Sequence, residues 1–151
     1  MQLTDILHKD CIAVGLAAAN KEDALYHLAQ LLKIHGAVGD LPAFLADVTT
    51  RELQGPTGIG DGIAIPHGKS DAVIRNCIAI GKLHTPIAWE SIDGEPVRVI
   101  ILFAVQKSSG ADAHVRMMAR VAGALADEDI CTRMREAANR DQLFDALTQS
   151  I

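Results

Sequence analysis

His67 is the residue whose type and setting point most directly to chemistry. It stands between Pro66 and Gly68, at the end of a stretch in which glycines recur at 55, 58, 60, 62 and 68. Glycine weakens regular elements and supplies unusual backbone angles, so this stretch reads as a shaped loop rather than a helix. Ile63-Ala64-Ile65 within it reads as a short buried strand that Pro66 stops, which presents His67 at the strand's end. An imidazole held there is a candidate nucleophile or proton carrier, since an ordinary pKa near ~6.5 leaves it neutral and basic at cell pH. Taken by itself, the local pattern favours a plain turn with a hydrogen-bonded histidine. Two other phosphate patterns do not fit. Gly55 does not lead to the Gly-Lys-Ser/Thr of a P-loop, and Gly58-x-Gly60-x-Gly62 runs into a strand, where a dinucleotide fingerprint runs from strand to helix.

Two further side chains matter only in relation to His67. Arg51 lies sixteen positions before it, near the end of an expected helix. Alone it is a solvated arginine suited to a helix C-terminus; beside a phosphoryl group its planar, permanently charged fork would bind the oxygens. His114 lies forty-seven positions after His67, in the expected first turn of another helix, and alone is an ordinary polar residue.

The run Thr57-Gly58-Ile59-Gly60-Asp61-Gly62-Ile63-Ala64-Ile65-Pro66-His67-Gly68-Lys69 resembles the active-site signature of the enzyme IIA domains of the bacterial phosphotransferase system, fructose–mannitol class. That class includes the nitrogen-regulatory IIA proteins. The likeness extends from Leu3-Thr4-Asp5-Ile6-Leu7 to the last helix and takes in Thr85 to Val97. It implies that His67 accepts a phosphoryl group from the phosphocarrier HPr and passes it on. The family's arginine, sixteen residues before its active histidine, falls on Arg51, and its second histidine falls on His114. Thr57 and the backbone of Gly58, Gly60 and Gly68 are the remaining candidates for phosphate binding.

Composition narrows the class further. At 151 residues, with 49% hydrophobic and 22% charged, the chain reads as a single domain, 1–151, able to bury a core. Aromatics are only 3%, so that core must be aliphatic. A formal charge of −5 argues against an electrostatic footprint for nucleic acid or anionic membrane. No apolar run reaches the ~20 residues of a membrane span, and no signal peptide is recognisable. Cys11, Cys77 and Cys131 are odd in number and widely spaced, so neither a disulfide framework nor a zinc site is indicated. The expectation is a cytoplasmic protein with reduced thiols, no cofactor and no metal.

The elements that must position these residues follow from pattern. Thr4 to Lys9 reads as a helical turn and Cys11 to Leu16 as extended. Asn20 is an N-cap for a helix with Ala24, Leu25, Leu28, Leu31, Leu32 and His35 at helical spacing, ending at Gly36, with Tyr26 and His27 solvated. A second helix begins after Asp40 and runs to about Leu53, with Pro42 in its first turn and Phe44, Leu45 and Val48 inward. Cys77 to Leu83 and Ile87 to Trp89 read as two strands, and Val97 to Val105 as a central strand covered on both faces. His84 and Trp89 read as surface and packing residues. A polar loop, Gln106 to Gly110, leads to a helix from about Asp112 with Val115, Met118, Ala119, Ala122 and Leu125 at core spacing. Helices Asp129–Ala137 and Asp141–Thr148 finish the chain.

These elements give an α/β three-layer sandwich, a mixed four- to five-stranded sheet with helices on both faces. The resemblance implies HPr as donor and either a IIB domain as acceptor, for uptake of a fructose/mannitol-class sugar, or regulatory protein targets. It implies no nucleic acid partner, and a membrane only indirectly through a IIC transporter. The chain's length, Leu125-Ala126-Asp127, Ile130-Cys131 and Arg133-x-Arg135 resemble the nitrogen type; Ser70-Asp71-Ala72-Val73 resembles the fructose type.

Overall fold

A computed structural model describes residues 2–149. Its centre is β6 (Val97–Gln106), where Val97 and every side chain from Val99 to Val105 is buried to completion. Such a run cannot alternate apolar and polar, because both faces of the strand are covered. Around it the element order is β1 (Leu7–Leu16), α1 (Lys21–Ile34), α2 (Leu41–Glu52), β2 (Gly58–Gly60), β3 (Ile63–Ala64), β4 (His67–Ser70), β5 (Cys77–Ile87), β6, α3 (Gly110–Leu125), α4 (Glu128–Glu136) and α5 (Arg140–Thr148).

The sheet runs β1-β5-β6-β3-β2, and β4 also pairs with β6. It is mixed: β1 is parallel to β5, β5 antiparallel to β6, and β3 and β4 both parallel to β6. Ile63 faces Val99 and His67 faces Phe103, so β3 and β4 keep one register along the same edge of β6. They are one strand interrupted at Ile65-Pro66. Proline has no N–H for a ladder, but its carbonyl still accepts a 3.0 Å bond from the Phe103 amide. Pro66 therefore interrupts the strand without ending it, and His67 opens the next segment instead of terminating the first.

Alternation along β6 divides the core. Ile100, Leu102 and Ala104 face α1 and α2, packing on Leu28, Leu32, Phe44 and Val48. Val99, Ile101, Phe103 and Val105 face the other way, onto Met117, Val121, Met134, Leu143 and Leu147 of α3, α4 and α5. The three layers are thus as expected, and Ile63-Ala64 is the short strand expected there; six strands stand in place of four or five because the short, glycine-bearing β2 and β4 do not announce themselves.

Other elements differ in detail. The turn at Thr4–Lys9 is a 3-10 turn at Leu3–Asp5, and β1 begins already at Leu7. The strands expected at Cys77–Leu83 and Ile87–Trp89 are one strand, carried past a register shift between Lys82 and Ile87. Asn20 caps α1 as expected, accepting from the Asp23 amide at 2.8 Å, and Asp40 caps α2. The core stripe of α3 is Met117, Val121 and Ala124, while Val115 is 63% exposed and Ala119 and Ala122 are exposed. The helix is rotated by about one residue from its hydrophobic reading, and that rotation brings His114 onto the inward stripe.

Candidate functional site

Register fixes where His67 points. Residues paired across parallel strands put their side chains on the same face. His67 is paired with Phe103, which faces α3, whereas Gly68 is paired with Ala104, which faces α1 and α2. A Cβ on Gly68 would meet Val48 Cγ2 at 2.7 Å and Phe44 Cε1 at 2.9 Å, closer than real contacts allow. Glycine at 68 is what lets α2 lie directly on β4, and α2 in turn carries Arg51 in its last turn.

His114 reaches the site from the other side. It is the fifth residue of α3, one step N-terminal on the stripe Met117–Val121–Ala124 that packs on the sheet. The two imidazoles end with centroids 5.0 Å apart and planes tilted by 58°. His67 Nδ1 lies 3.5 Å from the Ile65 carbonyl. That contact is long; since a carbonyl only accepts, it favours the tautomer with the proton on Nδ1, which leaves the lone pair on Nε2.

The electrostatics favour neutral rings. Burial is the largest influence on His67 and lowers its pKa; Arg51 and His114 lower it further, against the Ile65 carbonyl, which raises it. Burial also lowers His114, and the positive charges of Lys69 and Arg51 add to that. Arg51 and His114 therefore act on a neutral, half-buried His67 imidazole, with Glu52 opposing them there and Lys69 adding its charge at His114. Such a field suits an incoming dianion. The sequence reading passed over Lys69, although its place two residues after His67 on a strand, hence on the same face, was the available signal.

A polar chain behind Arg51 holds the Gly-rich loop. Thr57, only 3% exposed, donates its hydroxyl to Glu52 Oε1 at 2.6 Å and accepts from Trp89 Nε1 at 3.0 Å. Lys21 Nζ lies 2.7 Å from Glu52 Oε2, 2.6 Å from Glu90 Oε2 and 4.8 Å from the Trp89 ring centroid. Burial works to lower the Lys21 pKa, but its bonds to the two carboxylates outweigh that and raise it. Lys21, Glu52 and Trp89 thus tie α1, α2 and the loop together, and sequence reasoning gave none of them a part. Their spacing carries no signal, since 21, 52, 57 and 89 meet only through the fold.

The glycines take structural places in the loop. The Gly58 amide is donated to the Glu90 carbonyl at 3.1 Å, and a Cβ there would lie 2.6 Å from Ser91 Cβ. Gly60, Asp61 and Gly62 have φ of 94°, 58° and 75° and form the turn between β2 and β3, with Asp93 accepting from the Asp61 amide. The structure therefore brings His67, His114 and Arg51 to one site. It spends Thr57's hydroxyl and Gly58's amide on the scaffold and uses Gly60 and Gly68 for backbone shape and close packing.

Two exposed apolar side chains neighbour site residues in the chain: Leu53, 83% exposed, two residues past Arg51, and Val115, 63% exposed, next to His114. No helix among the described residues is long and apolar enough to cross a membrane.

Comparison with known proteins bears on this arrangement. Residues 5–150 match the family described as phosphoenolpyruvate-dependent sugar phosphotransferase system, EIIA 2. The chain is 34% identical, over 97% of its length, to the 2-O-alpha-mannosyl-D-glycerate-specific EIIABC component of Escherichia coli, and spans only 22% of that protein. It is 33% identical, over 99% of its length, to the nitrogen regulatory protein of Klebsiella oxytoca, covering 92% of it. Among solved structures, nitrogen regulatory protein IIA-Ntr from Neisseria meningitidis superposes with a TM-score of 0.85 at 23% identity, covering 95% of this chain and 97% of that one. Enzyme IIAMTL of Escherichia coli, solved in complex with phosphorylated enzyme IIBMTL, gives 0.80 at 22% identity, covering 95% and 99%. At those identities the likeness establishes the fold.

Proposed function

The chain belongs to the EIIA 2 family of the phosphoenolpyruvate-dependent phosphotransferase system, and on that premise we propose that it is a phosphocarrier whose acceptor is His67. The observation that carries this reading is the convergence of His67, His114 and the charge of Arg51 from three separate elements. A histidine carrier needs a neutral nitrogen in line with the donor and positive or N–H groups on the equatorial oxygens.

In this reading the lone pair of His67 Nε2 attacks phosphorus on the phosphohistidine of an HPr-type donor. The new N–P bond forms as the donor's N–P bond breaks, and the donor imidazole leaves with that electron pair. Arg51 and His114 take up the charge on the phosphoryl oxygens, and Lys69 adds a more distant positive charge. Burial that keeps His67 neutral makes it a nucleophile at neutral pH. Leu53 and Val115 are the apolar rim on which donor and acceptor dock in turn. Thr57 serves through Glu52 and Trp89, as a positioning residue of the loop.

The acceptor we propose is the cysteine of a IIB domain, for uptake of a fructose/mannitol-class sugar in the cytoplasm, with the membrane reached through a IIC transporter. The kinship with a sugar-specific EIIABC component supports it. A second reading, the nitrogen-type regulatory IIA protein, rests on 33% identity over nearly the whole of a nitrogen regulatory protein. Phosphotransfer separates the two. The chain, phosphorylated through phosphoenolpyruvate, enzyme I and HPr, is mixed with fructose- and mannitol-class IIB domains. Loss of its phosphoryl group to a IIB domain supports the uptake reading, and retention against all of them transfers support to the regulatory one. Failure to be charged by any HPr overturns both.

A further inference from the structure

A second cluster of ligating side chains lies away from the His67–His114 pair, where β1, β5 and the end of α1 meet. Nothing in the sequence announces it, since His8, His35 and Cys77 share no metal-ligand spacing. Parallel pairing of β1 with β5, with Leu7 opposite Ile78 and Ile12 opposite Ile80, sets His8 beside the start of β5, where Cys77 stands. α1 returns across this edge of the sheet and ends with His35 as its C-cap. One ligand atom from each of His8, His35 and Cys77 then lies within 4.8 Å of the other two, the single such group among the described residues.

The details suit a metal better than packing alone. The His8 and His35 rings stack with centroids 4.7 Å apart and planes 30° from parallel. Both are half-buried, so they form a rim open to solvent above the fully buried Cys77 sulfur. The buried thiols point to backbone: Cys77 Sγ donates weakly to the Ile78 carbonyl at 3.9 Å and Cys11 Sγ to the Leu31 carbonyl at 4.0 Å. Around a tetrahedral zinc-class ion, with bonds of about 2.0–2.3 Å, ligand atoms sit about 3.3–3.8 Å apart. Reaching that from ligand atoms within 4.8 Å of one another takes a closure of about 1 Å. Two imidazoles and one thiolate are a borderline-soft set, suited to zinc rather than to magnesium or calcium.

Charge acts in both directions. The C-terminal end of the α1 dipole and Asp10, whose Oδ2 lies 4.0 Å from His35 Nδ1, favour a cation. Arg75 opposes one: its guanidinium is docked on the His35 and Gly36 carbonyls at 2.7 and 3.3 Å. The same positive charge favours the thiolate that a metal requires.

We propose that His8, His35 and Cys77 form a binding site for one divalent zinc-class ion, completed by solvent at the fourth position. Binding forms the metal–sulfur bond as the Cys77 thiol gives its proton to solvent, and no electron is transferred.

Cobalt(II), added to the reduced full chain without oxygen, is the probe. One equivalent is expected to give tetrahedral visible bands and a thiolate-to-cobalt charge-transfer band, both erased by zinc. Cys77→Ser abolishes the charge-transfer band, while Cys131→Ser and the double change His67→Ala with His114→Ala leave it intact. His8→Gln and His35→Gln, at half-buried positions and checked by thermal melting, lower affinity by more than the about 10–100-fold that loss of an outer-shell partner costs. No charge-transfer band under excess cobalt, a band that survives Cys77→Ser, or binding indifferent to both glutamine variants overturns the site.

Discussion

The imidazoles of His67 and His114 lie 5.0 Å apart, tilted by 58°, although forty-seven residues separate them in the chain. A tilted pair at that distance is not a stack. In the proposed reading one ring carries the phosphoryl group and the other contacts it. The pairing depends on two registers: β4 against β6, which turns His67 toward α3, and the inward stripe of α3, which turns His114 back.

His114, in the proposed reading, assists and does not accept. His114→Ala is expected still to gain one phosphoryl group, with charging from phospho-HPr slowed by about 10²–10³-fold, the scale of losing one preorganised charge-stabilising donor. Rapid-quench phosphotransfer reads this. An unchanged rate would show that His114 is a neighbour without a part.

Protonation gives a signed prediction. Burial, with Arg51 and His114, holds the His67 pKa below the ordinary imidazole value. Charging is therefore level from neutral pH upward and declines only on acidification below about 6.5. The linkage to stability has the same sign, because a depressed folded pKa means the unfolded chain binds more protons. The contribution is full above about 6.5 and is lost as pH falls through the folded value. NMR titration of the His67 ring checks it, and a midpoint at or above the ordinary imidazole value of about 6.5 would contradict it.

Thr57 separates a scaffold role from a phosphate-binding one. Thr57→Val keeps the shape but strands the buried Trp89 N–H and a Glu52 oxygen, at a cost of about 1–3 kcal/mol. Melting is expected to fall by about 2–4 °C per kcal/mol. A variant as stable as the parent, yet slow to be charged, would put the hydroxyl back on the phosphoryl group.

Gly68 is a packing glycine. Gly68→Ala drives a methyl into Val48 and the Phe44 ring, and overpacking of this kind costs about 1–3 kcal/mol. Adding Val48→Ala is expected to restore part of the loss in chemical denaturation. No loss in the single variant would mean that α2 is freer on β4 than the contacts indicate.

Much of this was legible in the chain, and the rest had physical reasons to be hidden. The cap at Asn20, the helix expected after Asp40 and the uninterrupted apolar run of β6 are local signals, and each leads to the element it suggests. α3 misled because Val115, the most apolar residue near its start, faces solvent at the site, while the stripe that packs runs through His114. Pro66 suggested a strand end, but only its missing N–H is lost and the register with β6 continues across it. The Lys21–Glu52–Thr57–Trp89 chain and the His8–His35–Cys77 cluster could not be read at all, since their members meet only when the sheet closes.

Intact-mass measurement after incubation with phosphoenolpyruvate, enzyme I and HPr tests the central claim most directly. The account predicts one phosphoryl group on the parent and on His114→Ala, and none on His67→Ala. A phosphoryl group that persists on His67→Ala, or a parent chain that takes none from either a sugar-type or a nitrogen-type HPr, would contradict it.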